Sequence, residues 1–279
     1  MRIKKKLCKI AVIGVLTGMM SFASSVVDMP IISGTAVVHA QEYDAEYLKE
    51  MKEAGNLAVQ QKYDAAINIC NKLIKKYPTI CNTYSYRGYL YMTIKQYDKA
   101  LADVNKALEL ANPDTDFEQI PHIYGNKVRI YKGMNKLDKV RENQEKQLEA
   151  YAKVIQKKPN DSTYYTLRAN LYAELGDNQK AIADYKKAIS LPHSVPAELK
   201  ALGYTENKML ANDYFMCAHL YQKMKDYKNA IAMYTKAIEL APDESTYLLL
   251  RGQCYKAIGE NDKAKADSVE YEMRLSGGK

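Results

Sequence analysis

One alanine recurs down this chain at a fixed interval. Aligned on a Y-x-x-A motif, Ala66, Ala100, Ala181, Ala230 and Ala264 fall in one slot, and the spacing Ala66–Ala100 and Ala230–Ala264 sets a period of thirty-four. With that alanine at slot twenty, slot eleven holds Tyr91, Tyr131, Tyr172, Tyr221 and Tyr255, and slot eight holds the small residues Gly88, Ala169, Ala218 and Gly252. A period of this length means a chain built from repeated supersecondary units, none of which buries its apolar face alone. Prolines (8) and glycines (13) are few in 279 residues, so the unit is helical and the fold all-α.

Small residues at slots eight and twenty let two antiparallel helices approach closely, with larger side chains filling between them. Pro78 and Pro242 close their repeats after the second helix, where proline cannot continue it. By this set of slots the chain resembles the tetratricopeptide-repeat family over residues 47–278. The resemblance implies an α-solenoid, a right-handed superhelix of stacked helical hairpins with a concave inner face. Six repeats are expected: 47–80, 81–114, 121–161, 162–195, 211–244 and 245–278. The turn of the first looks one residue short. The second helix of the third is extended by seven residues, with Leu137, Val140, Leu148, Tyr151 and Ile155 as its apolar stripe and Val128 and Val140 in place of small residues. Residues 196–210 form an insert, helical in part, with Pro196 at a helix start.

Three repeats carry an Arg at slot seven and an Asp at slot twenty-three: Arg87 with Asp103, Arg168 with Asp184, and Arg251 with Asp267. Repeats lacking the Arg also lack the Asp, with Glu53/Ile69, Lys127/Asn143 and Cys217/Met233 in those places. Antiparallel packing brings the two slots side by side, so each pair is expected to be a structural salt bridge, not a catalytic one.

The first forty residues are of another kind. Arg2, Lys4, Lys5, Lys6 and Lys9 precede an uncharged stretch from Ile10 to Val27, the layout of an export signal, with a cleavage site after Ala40. Eighteen uncharged residues also suffice for an uncleaved membrane anchor, and both readings leave residues 41–279 exported: periplasmic, secreted or on the cell surface. Five basic residues and one acidic in this segment account for +4 of the net +8. The remaining +4 is spread among interspersed charges, so no nucleic-acid partner is expected.

No metal-ligand, phosphate-loop or nucleophile motif is present, and the four histidines are scattered. No cofactor, no metal and no enzymatic activity are expected. Of the cysteines outside the leader, Cys70–Cys81 and Cys217–Cys254 are near enough in sequence to pair. Cys70 at a core slot favours free thiols.

What remains is binding. The resemblance implies a scaffold that holds a protein or peptide partner on its concave face, lined by slots two, five, six, nine, twelve and thirteen of the first helices. The residues this points to are Tyr86, Tyr89 and Met92, then Asn126, Arg129 and Lys132, then Asn170, then Phe215, Met216 and His219, and finally Leu249, Leu250 and Gln253. The alternative is a structural subunit of an envelope assembly, packing through its convex face, the insert or the long third-repeat helix. The cochaperone clamp for a terminal carboxylate is rejected: Lys52 and Asn56 could begin it, but Tyr86, His122 and Asn126 stand where its other members belong.

Overall fold

The computed structural model describes residues 44–276; the expected export segment and Cys8 lie outside the described residues. Among the described residues there are thirteen α-helices and no strand. They are α1 (Ala45–Val59), α2 (Tyr63–Lys76), α3 (Cys81–Thr93), α4 (Tyr97–Leu110), α5 (Gln119–Gly133), α6 (Leu137–Lys157), α7 (Ser162–Glu174), α8 (Asn178–Ile189), α9 (Ala197–Ala201), α10 (Glu206–Lys223), α11 (Tyr227–Leu240), α12 (Thr246–Ala257) and α13 (Asn261–Leu275). All but the short α9 run as consecutive pairs. The arrangement is that of a tetratricopeptide-repeat α-solenoid.

The described residues divide into two compact units that part between Lys153 and Val154, inside α6. In the first, α2 packs on α3 and α4 on α5. In the second, α8 packs on α10 and α11 on α12. Helices α2, α4, α8 and α11 thus each cover their own partner and the first helix of the next pair.

Every pair turns in the same way. The residue at slot fifteen takes a left-handed conformation: Gln61, Lys95, Asn135, Gly176, Lys225 and Gly259, with φ between 56° and 83°. The next residue's N–H then donates to a carbonyl five residues back, as from Gln96 to Tyr91 at 2.8 Å and from Asp177 to Tyr172 at 2.9 Å. This capping motif satisfies carbonyls that the helix end leaves open. Only two of the six turns use glycine, the residue that adopts this backbone without steric cost.

The close approach expected at slots eight and twenty is present in α3–α4. A Cβ added at Gly88 would lie 2.8 Å from Val104 Cγ2 and 3.1 Å from the Ala100 carbonyl. In α1–α2 the buried Ala54 and Ala66 fill those slots, and the turn is full length, so the expected shortening is absent.

Two further expectations are corrected. Helix α6 has 21 residues against 14 in α2 and α4, the expected extension of seven. Its buried stripe, however, is Val140, Asn143, Gln147, Tyr151 and Val154. Leu137 is 68% exposed, and Leu148 and Ile155 are only half-buried. Amide side chains hold positions that hydrophobicity alone would not have chosen, and the small residue of that hairpin is Gly125, which faces Gln147 Nε2. Pro196 stands at a helix start, as expected, in the N-cap position of α9, but the insert is shorter than expected. Residues 206–210 belong to α10, whose first turn is capped by Thr205 Oγ1 accepting from the Lys208 N–H at 3.2 Å.

Candidate functional site

Each of the three Arg–Asp pairs is a two-point ion pair. Arg87 Nε and Nη2 donate to Asp103 at 2.7 and 2.6 Å, Arg168 to Asp184 at 2.7 and 2.8 Å, and Arg251 to Asp267 at 3.0 and 2.7 Å. The guanidinium planes lie near tyrosine rings, among them Tyr91, Tyr172 and Tyr255 at slot eleven. Arg87 also reaches back to Asn71 Oδ1 at 2.6 Å, and Arg251 to Thr235 Oγ1 at 3.0 Å, both at slot twenty-five of the preceding hairpin. Arg87 and Arg251 therefore tie their own hairpins shut and fasten them to the preceding one, and Arg168 ties its own. The aspartates are nearly buried, so losing the arginine would strand a charge.

The four cysteines of the described chain are free and buried. Burial pushes the thiols up, Cys70 and Cys81 to about 12 and Cys217 and Cys254 to about 11. They are apolar packing, not nucleophiles.

In the first unit, the first helices do not present all the expected residues. Tyr86 is 2% exposed in the core with Tyr47 and Leu90, its hydroxyl donating to the Ala54 carbonyl at 3.4 Å. Asn126 is equally buried: Nδ2 donates to Ser85 Oγ at 3.2 Å and Oδ1 accepts from Arg129 at 3.1 Å. Both join one helix to the next and are withdrawn as ligand contacts. Tyr89, Met92 and Arg129 are half-buried and Lys132 is exposed, with Tyr89 stacked on Tyr86 at 6.1 Å.

In the second unit, Phe215 is a core bridge. Its ring lies 4.9 Å from Tyr247 and 6.0 Å from Tyr234, so it packs α10 against α11 and α12. Met216 and Leu250 pack against neighbouring apolar clusters. Leu249 is half-buried, whereas His219 and Gln253 stay exposed. Asn170 accepts from the Tyr185 hydroxyl. Slots five and six thus face inward, and slots nine and twelve hold the surface of the first helices.

Sequence reasoning missed two groups. Gln222, at slot twelve, accepts from the Tyr234 hydroxyl at 2.7 Å and donates to Gln253 Oε1 at 3.3 Å. The second group is Asp213, 2% exposed, whose carboxylate accepts from Thr166 Oγ1 at 2.9 Å and faces His193 Nε2 at 2.8 Å. His193 Nδ1 lies 3.0 Å from the Leu191 carbonyl, which can only accept, so that nitrogen carries a proton. The other nitrogen faces a carboxylate, so the pair holds a second proton between them. Burial works against the charge, but the hydrogen bond to Asp213 and the Leu191 carbonyl prevail and raise the His193 pKa. An Asp at slot three, where the other hairpins of this unit carry Tyr164 and Tyr247, was the available signal.

Among the described residues, no cluster of three or more His, Cys, Asp or Glu could hold a metal ion, and no helix is long and apolar enough to cross a membrane.

The family model described as Tetratricopeptide repeat matches residues 83–114, 162–192 and 214–244, and a second of the same description matches 53–79. Four segments of the chain thus match tetratricopeptide-repeat models. Tetratricopeptide repeat protein 16 of Mus musculus is 26% identical over 162 residues, covering 58% of this chain and 21% of its own length. The BBSome complex member BBS4 of Bos taurus is 32% identical over 140 residues, 49% of this chain and 23% of its own. The chain thus spans about a fifth of the length of the curated relatives it matches. Among solved structures, PilW, a type IV pilus biogenesis factor, has a TM-score of 0.58 at 18% identity, covering 84% of this chain and 94% of its own. These likenesses establish the fold. Proteins of this fold serve in general as protein-interaction scaffolds and are typically not enzymes.

Proposed function

We propose that the chain is an exported scaffold of six repeats that holds an extended segment of a protein partner along the first-helix face of its second unit. One observation carries this reading. His219 and Gln253 remain exposed at slot nine of α10 and α12 while Phe215, Met216, Leu249 and Leu250, one turn earlier, are partly covered. The His219 ring lies stacked over Phe215 at 6.4 Å, and the Gln253 amide is held by Gln222. Preordered amides and a flat ring suit a peptide backbone, which offers alternating donors and acceptors, because little side-chain freedom is lost on binding. Six repeats are supported by the six identical left-handed turns, and export by the basic head and apolar stretch of residues 2–27. A membrane is a partner only if that stretch stays as an anchor.

The test is capture from envelope extract with the His219→Ala/Gln253→Ala variant beside the parent chain. Loss of the captured partner with an unchanged thermal melt is expected. Full capture by the variant would move the site off this face and favour the structural-subunit reading.

A further inference from the structure

The last helix departs from the others in one systematic way. Slots twenty-one, twenty-four and twenty-eight of the second helices stack on the following hairpin, and they are apolar in α2 (Ile67, Cys70, Ile74) and in α11 (Ile231, Tyr234, Ile238). In α13 the same slots hold Lys265, Ser268 and Glu272, all exposed. Slots twenty-five and twenty-nine do the reverse. They are Asn71 and Lys75 in α2, Asn105 and Glu109 in α4, Lys186 in α8 with Ser190 as its C-cap, and Thr235 and Glu239 in α11, but Val269 and Met273 in α13. The apolar stripe has moved one residue along the helix, about 100° around its axis. Val269 and Met273 are consequently 46% and 52% exposed. A hairpin stacked in the usual way would meet polar slots on α13, and the apolar line of the helix is offered elsewhere.

That line has coiled-coil spacing. Asp262, Ala266, Val269, Met273 and Ser276 follow steps of four, three, four and three, the a/d pattern of a heptad. The flanks then read Lys265 with Glu272 on one side and Lys263 with Glu270 on the other, each a lysine followed seven residues later by a glutamate. When two such helices run antiparallel, equivalent flanks face each other. With Ala266 opposite Val269 of the second copy, Lys265 meets Glu272 and Lys263 meets Glu270, twice over by symmetry. A parallel pair would match only Lys265 with Glu270. Glu270 already pairs with Arg274, and Lys263 with Glu260 at 2.5 Å. Lys265 and Glu272 have no ion-pair partner among the described residues.

From this complementarity we infer that α13 docks antiparallel on α13 of a second copy of this chain. A helix of 15 residues, about 22 Å long, buries less than the roughly 1,200 Å² of a stable interface, so the dimer is weak and reversible. Its flanking charges make it weaker still at high salt. The contact leaves the first-helix face open, so it stands or falls independently of partner capture.

Sedimentation equilibrium of the full chain, purified as the producing cell processes it, reads this directly. The parent should self-associate at ~50 mM salt and dissociate toward monomer at ~500 mM. Lys265→Glu and Glu272→Lys, both exposed substitutions that should leave the helical circular dichroism unchanged, should each weaken association at least about fivefold. Mixing the two variants should restore it, because each then faces an opposite charge. A parent that stays monomeric at millimolar concentration in low salt overturns the inference and leaves the patch to another occupant. Loss with Lys265→Glu alone, with Glu272→Lys silent, overturns the antiparallel geometry. So does failure of the mixture to associate.

Discussion

Hairpins α5–α6 and α7–α8 follow one another in sequence and are closed by different chemistry. In α7–α8, Arg168 and Asp184 form a two-point ion pair with both side chains largely covered. In α5–α6 the same slots hold Lys127 and Asn143. Asn143 Nδ2 turns back to the Lys139 carbonyl of its own helix at 2.7 Å, and its buried Oδ1 has no hydrogen-bond partner. Partial burial lowers the Lys127 pKa. The longer helix compensates, adding two further turns that bury Tyr151 and Val154. A hairpin of this kind can be shut by a charged clamp across its helices or by more length along them.

The largest effect should come from breaking the clamp. Arg168→Ala strands the nearly buried Asp184 and should cost about 3 kcal/mol in urea unfolding. Lys127→Ala at the equivalent slot should stay within about 0.5 kcal/mol. Equal losses at the two positions would mean that slot seven matters through packing alone.

The α7–α8 hairpin is also tied onward by the buried His193–Asp213 pair, and that tie titrates. The folded pKa of His193 lies above its ordinary 6.5, so its contribution is fully present below that pH and is lost as pH rises through the raised value. The thermal midpoint should therefore fall on going from pH 6 upward. His193→Gln should cost about 2 kcal/mol of stability at pH 6 and flatten the dependence of the midpoint on pH. A slope unchanged in the variant would assign the titration elsewhere.

Two gains should be available in α5–α6. Lys127→Arg with Asn143→Asp installs the clamp and removes the orphaned amide oxygen, worth about 1 kcal/mol. A smaller gain, about 0.5–1 kcal/mol, is expected from Asn135→Gly, since Asn135 holds a left-handed backbone at φ 56°. In α7–α8 the same slot is already glycine, and Gly176→Ala should cost a similar amount. Chemical denaturation of both variants checks the pair.

The hairpins were legible because slot spacing is local: helix pairs, the Arg–Asp partnership and the long α6 all follow from residues within one repeat. The candidate face was legible only in part. Helices α3, α5, α10 and α12 each bury one side against their own partner and another against the preceding hairpin, leaving a strip narrower than six slots per repeat. Tyr86, Asn126 and Phe215 fell on the buried side, where large aromatic and amide side chains look the same in sequence as ligand contacts. His193 and Asp213 meet through the irregular stretch after α8, which no periodic pattern encodes.

The central claim, a partner held on the first-helix face of the second unit, is tested most directly by site-specific photo-crosslinking in the producing cell. A benzophenone amino acid placed at Lys256, exposed at slot twelve of α12 one turn from Gln253, should yield a discrete covalent adduct with a partner protein. The same probe at Lys236, exposed on the second helix α11, should yield none. An adduct from position 236 with none from 256 would contradict the account.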